Sequence, residues 1–428
     1  MINLFPHAET RDKCRIIRML ETQKTPHDSY HTPGHKRSGW DITELPYSDN
    51  LSCPTGCIRQ AEEELADLVG ATRSFLLTDG NTSGVLSILY AAKTLGVKRL
   101  AAETTAHKSV FNGAKLLGLE LLLYPPYEGG RYATSKAEDA LRSADALIVT
   151  TPNYYGKIPP LSALKNLCEK QGKLLLADGA HGAHLRHTPR LYAGEYAELW
   201  VDGVHKSLPS LTQGALVSAK TVRSANALRE AVDIFRTTSP SYPILASVEY
   251  GVRYPANPKL ESAVRALAAK YPEYLTVHDD WTKLVARFGH YAREADERLQ
   301  NDGIWSEFCD GERLMFYFSP ASEYASVVRL ETALKRLFAL YPPTPEKAEE
   351  AHTPNPIPTN GQKKLVTLDK AIGKIAQRNC GLFPPCVTLI FAGERVQAEH
   401  IQKLEQAPNV FGLIDGKMEI IDDTGEDK

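Results

Sequence analysis

The chain has 428 residues, with 50 Lys and Arg against 52 Asp and Glu and a formal charge of −2. That length can bury a sizeable core in two or three domains, and a balanced charge without a basic stripe argues against a nucleic-acid partner. No apolar run approaches the roughly 18 residues of a membrane helix, and the N-terminal MINLFPHAETRDKCR has no secretory apolar stretch.

Seven cysteines (Cys14, Cys53, Cys57, Cys168, Cys309, Cys380 and Cys386) lack the paired spacing of a zinc site. A cytoplasmic enzyme with reduced thiols, away from membranes, is the expectation. From about residue 58 to 220, helical and extended patterns alternate. IRQAEEELADLVG (Ile58 to Gly70) has helical apolar spacing, with Gly70 as a C-cap. SFLLTDG reads as a strand and TSGVLSILYAAKTLG as a helix ending at Gly96. RLAAE, LELLLYP, ALIVTTP, KLLLADG, LWVDG and GALVSA are further short apolar runs. Such alternation predicts a mostly parallel sheet covered on both faces, with chemistry at the carboxyl ends of its strands, where Asp79, Thr151 and Asp178 fall. After Thr237 to Pro243 a helix-rich stretch runs to about residue 300. Residues 341 to 362 are rich in Pro and Asn and read as a loop. TLDKAIGKIAQRN, VTLIFAG and AEHIQKLEQ then suit a smaller α+β domain.

Several segments carry chemistry. TDGNTSG (Thr78 to Gly84) joins a strand to a helix; Thr82 and Ser83 offer N–H groups and hydroxyls at a positive helix N-terminus, where a phosphate fits. A simple helix cap is the plain alternative. The segment is neither a P-loop nor GxGxxG, so a cofactor monophosphate suits it better than a nucleotide. His107 opens a further helix, where its imidazole could stack on a pyridine ring or merely cap. LLLADGAHG ends an apolar strand on Asp178, and DGVHKSLPSLTQGALV places Lys206 beside His205 about one βαβ unit later. A strand-end carboxylate followed by a His-Lys pair points to pyridoxal 5′-phosphate (PLP), with the lysine bound to the aldehyde and the carboxylate paired with the ring nitrogen. HTPGHK (His31 to Lys36) could line an anionic pocket. His181, His184 and His187 stand three apart rather than at the i, i+4 spacing of a zinc helix, and Gly182 weakens any helix there, so no metal is assigned.

In order, HTPGHK, PTGCI, TDGNTSG, HKSVFNG, TTPNYYG, DGAHGAH, HKSLPSLTQGA and TTSPSY resemble the Orn/Lys/Arg decarboxylase family over residues 31 to 245, and IGKIAQRN with FPPCVTLIFAGE matches more loosely. The resemblance implies an aspartate-aminotransferase-like PLP fold: a large domain on a mostly parallel seven-stranded sheet plus a smaller α+β C-terminal domain. Divisions are expected at 1–30 (an N-terminal helical segment), 31–300 and 301–428, in a short form lacking an N-terminal wing. It further implies that Lys206 carries the Schiff base, Asp178 holds the ring nitrogen and His107 stacks on the ring. Thr82, Ser83 and His205 would hold the phosphate, with Ser239 and Ser241 reaching over from the partner of a homodimer, and His181 is another cofactor contact.

The implied activity is decarboxylation of lysine, ornithine or arginine to CO2 and an amine. Glu394, then Asp49, are the candidate partners for the substrate's basic side chain. Substrate segments depart from the family: Asp49, Asn50, Leu51 and Ser52 replace DDLH, Phe383 to Thr388 read FPPCVT in place of YPPGIP, and glycines stand at 179 and 203 where an acid and a serine are usual. Transamination, elimination, or PLP binding with little turnover would use the same cofactor residues, and a histidine-based metal hydrolase is the outlying alternative.

Overall fold

Seven of the apolar runs become strands: β1 (Arg73–Leu77), β2 (Arg99–Glu103), β3 (Glu120–Tyr124), β4 (Ala146–Thr150), β5 (Leu174–Gly179), β6 (Leu199–Asp202) and β7 (Ala215–Ala219). The computed structural model describes residues 4–22, 28–36, 39–346, 352, 354, 362–383, 387–407 and 409–422; Cys386 and most of the expected loop lie outside these. The seven strands make up one mostly parallel sheet, the α/β fold expected. Almost every position of β1, β5, β6 and β7 is buried, as a sheet covered on both faces requires. β4, β5 and β6 run parallel, whereas β7 is antiparallel to both β6 and β1. An apolar run buried on both faces carries no mark of strand direction, so this reversal appears only in the fold.

The chain divides into two compact units, residues 1–98 with 146–346, and residues 99–145 with 347–428. Helices α1 (Cys57–Leu68) and α2 (Gly80–Thr94) belong to the first unit and α3 (Lys108–Leu117) to the second; α4 (Val222–Phe235) and α5 (Tyr242–Arg253) return to the first. α2 lies hard against the sheet. A Cβ at Gly84 would stand 2.3 Å from Val201 Cγ2, so only glycine allows that approach. The first unit holds a second core around a four-stranded antiparallel sheet (Leu275–Val277, Lys283–Arg287, Arg313–Tyr317 and Phe308–Cys309), filled by Tyr274, Phe288, Phe316 and Leu334. The helix Ala292–Asn301 spans the boundary expected at residue 300.

In the second unit, β2 pairs in parallel with β3, and the C-terminal stretch gathers Ala376, Cys380, Ile390, Ile401 and Ile420 into a small core. AEHIQKLEQ forms the expected helix, Ala398–Gln406. Among the described residues no helix is long and apolar enough to cross a membrane.

Candidate active site

The carboxyl ends of β5 and β6 bring the two principal residues onto neighbouring strands. β5 stops on Asp178 and Gly179; β6 stops on Asp202, and Gly203 leads into a single helical turn, Val204–Ser207, carrying His205 and Lys206. Backbone contact is close here. Gly203 N donates to Gly179 O at 3.2 Å, a Cβ on Gly203 would meet Ala180 O at 2.3 Å, and one on Gly179 would meet Val201 O at 2.7 Å. The glycines at 179 and 203 therefore serve one shared contact, and the serine usual at the second has no room in this backbone.

Asp178 is buried, and its Oδ1 accepts from Asn81 Nδ2 at 2.7 Å and from Ala180 N at 3.1 Å. Asn81, which reads from the sequence only as a cap, is thus the residue that orients the strand-end carboxylate. Lys206 Nζ lies 3.3 Å from His181 Nε2. The His181 ring meets the edge of Tyr154 at 5.1 Å and stacks on Tyr317 at 5.7 Å with an interplanar angle of 25°. Neither tyrosine is a candidate from sequence; Tyr154 sits in the TTPNYYG motif, and Tyr317 offers no signal.

Two of the proposed phosphate residues, Thr82 and Ser83, lie in the first turn of α2. Asp79 is its N-cap but makes no side-chain cap bond to the helix; its Oδ2 accepts instead from Thr237 N at 3.2 Å. Gly80 N donates to Gln213 O at 2.9 Å, and the following N–H groups of the first turn are the ones an anion could meet. Thr82 is exposed, whereas the buried Ser83 hydroxyl donates to Phe235 O at 3.3 Å, which leaves its N–H as its contribution. His205 Nδ1 lies 2.9 Å from Gly214 O and must donate to that carbonyl, so Nε2 is the nitrogen left for a ligand. Burial lowers the His205 pKa, and Nε2 could donate to a phosphate only once the dianion restored its proton. Ser239 is exposed, and Ser241 is the N-cap residue of α5.

A PLP monophosphate fits this donor set. The set offers a helix N-terminus without a side-chain cap, an amine and a strand-end carboxylate, with Asn81 Oδ1 and Thr151 Oγ1 also buried and unpartnered.

Other candidates have different surroundings. Asp49 is buried: Oδ1 accepts from the N–H groups of Asn50 and Thr55, and Oδ2 from those of Gly56, Ile58 and Arg59. The structure corrects its expected substrate role to capping of α1, because five backbone donors take up its lone pairs. In the second unit, His107 is the N-cap of α3, accepting from Ser109 N at 3.2 Å, and its backbone bridges to Val387. Glu394, also in that unit, is buried; it accepts from Phe391 N at 2.8 Å and lies 2.7 Å from His352 Nε2. In HTPGHK, Lys36 Nζ donates back to His31 O at 2.6 Å and His35 pairs with Asp41. His184 pairs with Asp280, and His187 lies 3.0 Å from Tyr254 O.

Residues 131–266 match the family model described as Orn/Lys/Arg decarboxylase, major domain. Over that stretch the chain resembles the Orn/Lys/Arg decarboxylase family. Its relatives include the uncharacterised Bacillus subtilis protein YaaO, 25% identical over 92% of this chain and 93% of the relative. A Bacillus subtilis arginine decarboxylase is 23% identical over 87% of this chain and 89% of its own length. The fold is similar to that of the Francisella novicida lysine decarboxylase, with a TM-score of 0.73 at 16% identity, covering 96% of this chain and 81% of that one. The family match and the fold support a PLP-dependent amino-acid decarboxylase, the enzyme class expected from the motifs.

Proposed function

We propose that this decarboxylase acts on lysine, ornithine or arginine, with PLP held covalently through Lys206 Nζ. The observation that carries the reading is the convergence of Asp178, His181, His205 and Lys206 on the adjoining ends of β5 and β6 within one unit. PLP, when bound, supplies an electron sink for the pair left behind as CO2 departs. Each residue then has a defined task. Asp178, its Oδ1 fixed by Asn81 and Ala180 N, would present negative charge to the ring nitrogen and keep a proton there. The α2 N-terminus, Thr82, Ser83 N–H and His205 Nε2 would hold the phosphate, joined by Ser239 and Ser241 of a second copy in a homodimer. The ring-stacking role of His107 rests on the family resemblance alone. His181, 3.3 Å from Lys206 Nζ, would exchange a proton with that amine. The substrate-pairing role of Glu394 rests on the family resemblance alone.

Borohydride reduction of the PLP-loaded protein, followed by peptide mapping, should place the adduct on Lys206, and Lys206→Ala should abolish the adduct. Incubation with lysine, ornithine and arginine should release CO2 and the corresponding amine from at least one. An adduct on another lysine overturns the cofactor assignment; no CO2 from any of the three overturns the substrate assignment alone.

A further inference from the structure

Asp280, Thr282 and Lys283 are polar or charged, yet all three are wholly buried at the start of the strand Lys283–Arg287. Lys283 Nζ makes an ion pair with Asp280 Oδ2 and donates to Thr282 Oγ1 at 3.1 Å, to Tyr317 OH at 3.1 Å and to the backbone O of His181 at 3.3 Å. Its ammonium also stands 4.2 Å from the Tyr317 ring centroid. Asp280 Oδ1 accepts from Thr282 N at 3.0 Å and Thr282 Oγ1 at 2.8 Å, and lies 2.8 Å from His184 Nε2. Burial pushes the Asp280 carboxyl up, but His184 and Lys283 outweigh it and hold the group below its ordinary value.

Stability alone is a poor reason for this arrangement. A buried ion pair is often no better than well-packed apolar side chains of the same volume. Its contacts point elsewhere. Lys283 grips the backbone of His181 and the hydroxyl of Tyr317, the ring that stacks on His181, while Asp280 grips His184 three residues along the same loop. Lys283 and Tyr317 are also direct cross-strand partners, so the sheet fixes their spacing.

We propose that the Asp280–Lys283 pair is a positioning device: it holds the His181 imidazole, through backbone and stacking ring together, at the distance that serves Lys206. This rests on the reading of Lys206 as the cofactor lysine.

The test uses full-length protein loaded with PLP, with thermal unfolding, PLP affinity and the visible absorption of bound PLP measured together. Borohydride mapping of the wild type comes first, and an adduct away from Lys206 removes both the functional reading and this proposal. With Lys206 confirmed, Asp280→Asn combined with Lys283→Met should leave the unfolding midpoint near the wild-type value. It should also weaken PLP affinity by about tenfold, the loss of one charge-assisted contact, and move the visible maximum. Tyr317→Phe keeps the ion pair and the stacked ring but loses one Lys283 contact, so it should move the same two readouts by less. A folded double variant with wild-type affinity and spectrum overturns the proposal. If the double variant does not fold, unchanged affinity and spectrum in Tyr317→Phe overturn it equally.

Discussion

Asp178 gains its orientation from Asn81, whose amide comes from the first turn of α2, and from Ala180 N two residues along. Both donors are aimed at one carboxylate oxygen and complement negative charge. Asp178→Asn should leave PLP bound through Lys206 but cut turnover roughly a hundredfold or more, because a neutral amide cannot hold a proton on the ring nitrogen. Steady-state rates beside a borohydride-trapping control would measure this; a wild-type rate would reduce Asp178 to a strand-end cap. Glu394 is buried rather than solvated, with its carboxylate shared by Phe391 N and His352. Glu394→Gln should raise KM for the basic amino acid by roughly tenfold to a hundredfold, the worth of one charge-assisted hydrogen bond, without altering PLP affinity. An unchanged KM would place recognition of the basic group on another residue.

At the scale of elements, β6 ends on a buried acid that the proposed reaction does not use. Asp202 Oδ2 accepts from Tyr192 OH at 2.6 Å and Trp200 Nε1 at 3.2 Å, and burial raises its pKa from the ordinary 3.8 to about 7. Between those two values the folded protein keeps a proton that the unfolded chain has released. Stability should therefore be highest on the acidic side and fall as pH rises from about 4 to about 7, by about 1.4 kcal/mol per pH unit across that interval. Asp202→Asn, which cannot ionise, should flatten that part of the curve. Unfolding midpoints of both proteins across this range would check it, and equal slopes would show that Asp202 does not set the dependence. α1 has a comparable dependence on a distant residue: Asp49 caps its start, while Asp49 N and O both meet the Tyr242 hydroxyl at the head of α5.

For the whole molecule, the proposed reading requires two copies. Ser239 and Ser241 flank Pro240 just before α5, and Ser239 is exposed in the single chain, open to another copy. Sedimentation should find a dimer or larger assembly. Mixing Lys206→Ala chains with chains carrying Ser239→Ala and Ser241→Ala should restore activity that neither has alone, because some mixed dimers assemble one intact site. A fully active monomer in dilute solution, or mixtures no better than their parents, would confine each site to one chain.

What the amino-acid order determined by itself was local. Apolar runs of strand length ending at DG, a His-Lys pair directly after such a run and a glycine past each helix are short-range signals. They located β5, β6, α2, Asp178 and Lys206 and carried the family resemblance. Only the tertiary structure decided what depended on distant partners. β7 runs backwards because its neighbours, not its composition, set strand direction. Asn81 reaches Asp178 across 97 positions, and His184 reaches Asp280 across 96. Asp49 resembles a substrate acid until the backbone of residues 50 to 59 closes around it. Lys283 and Asp280 are buried although charged residues are usually exposed. Burial becomes tolerable only when each charge meets the other and its remaining hydrogen bonds are filled, and those partners come from three separate stretches of chain.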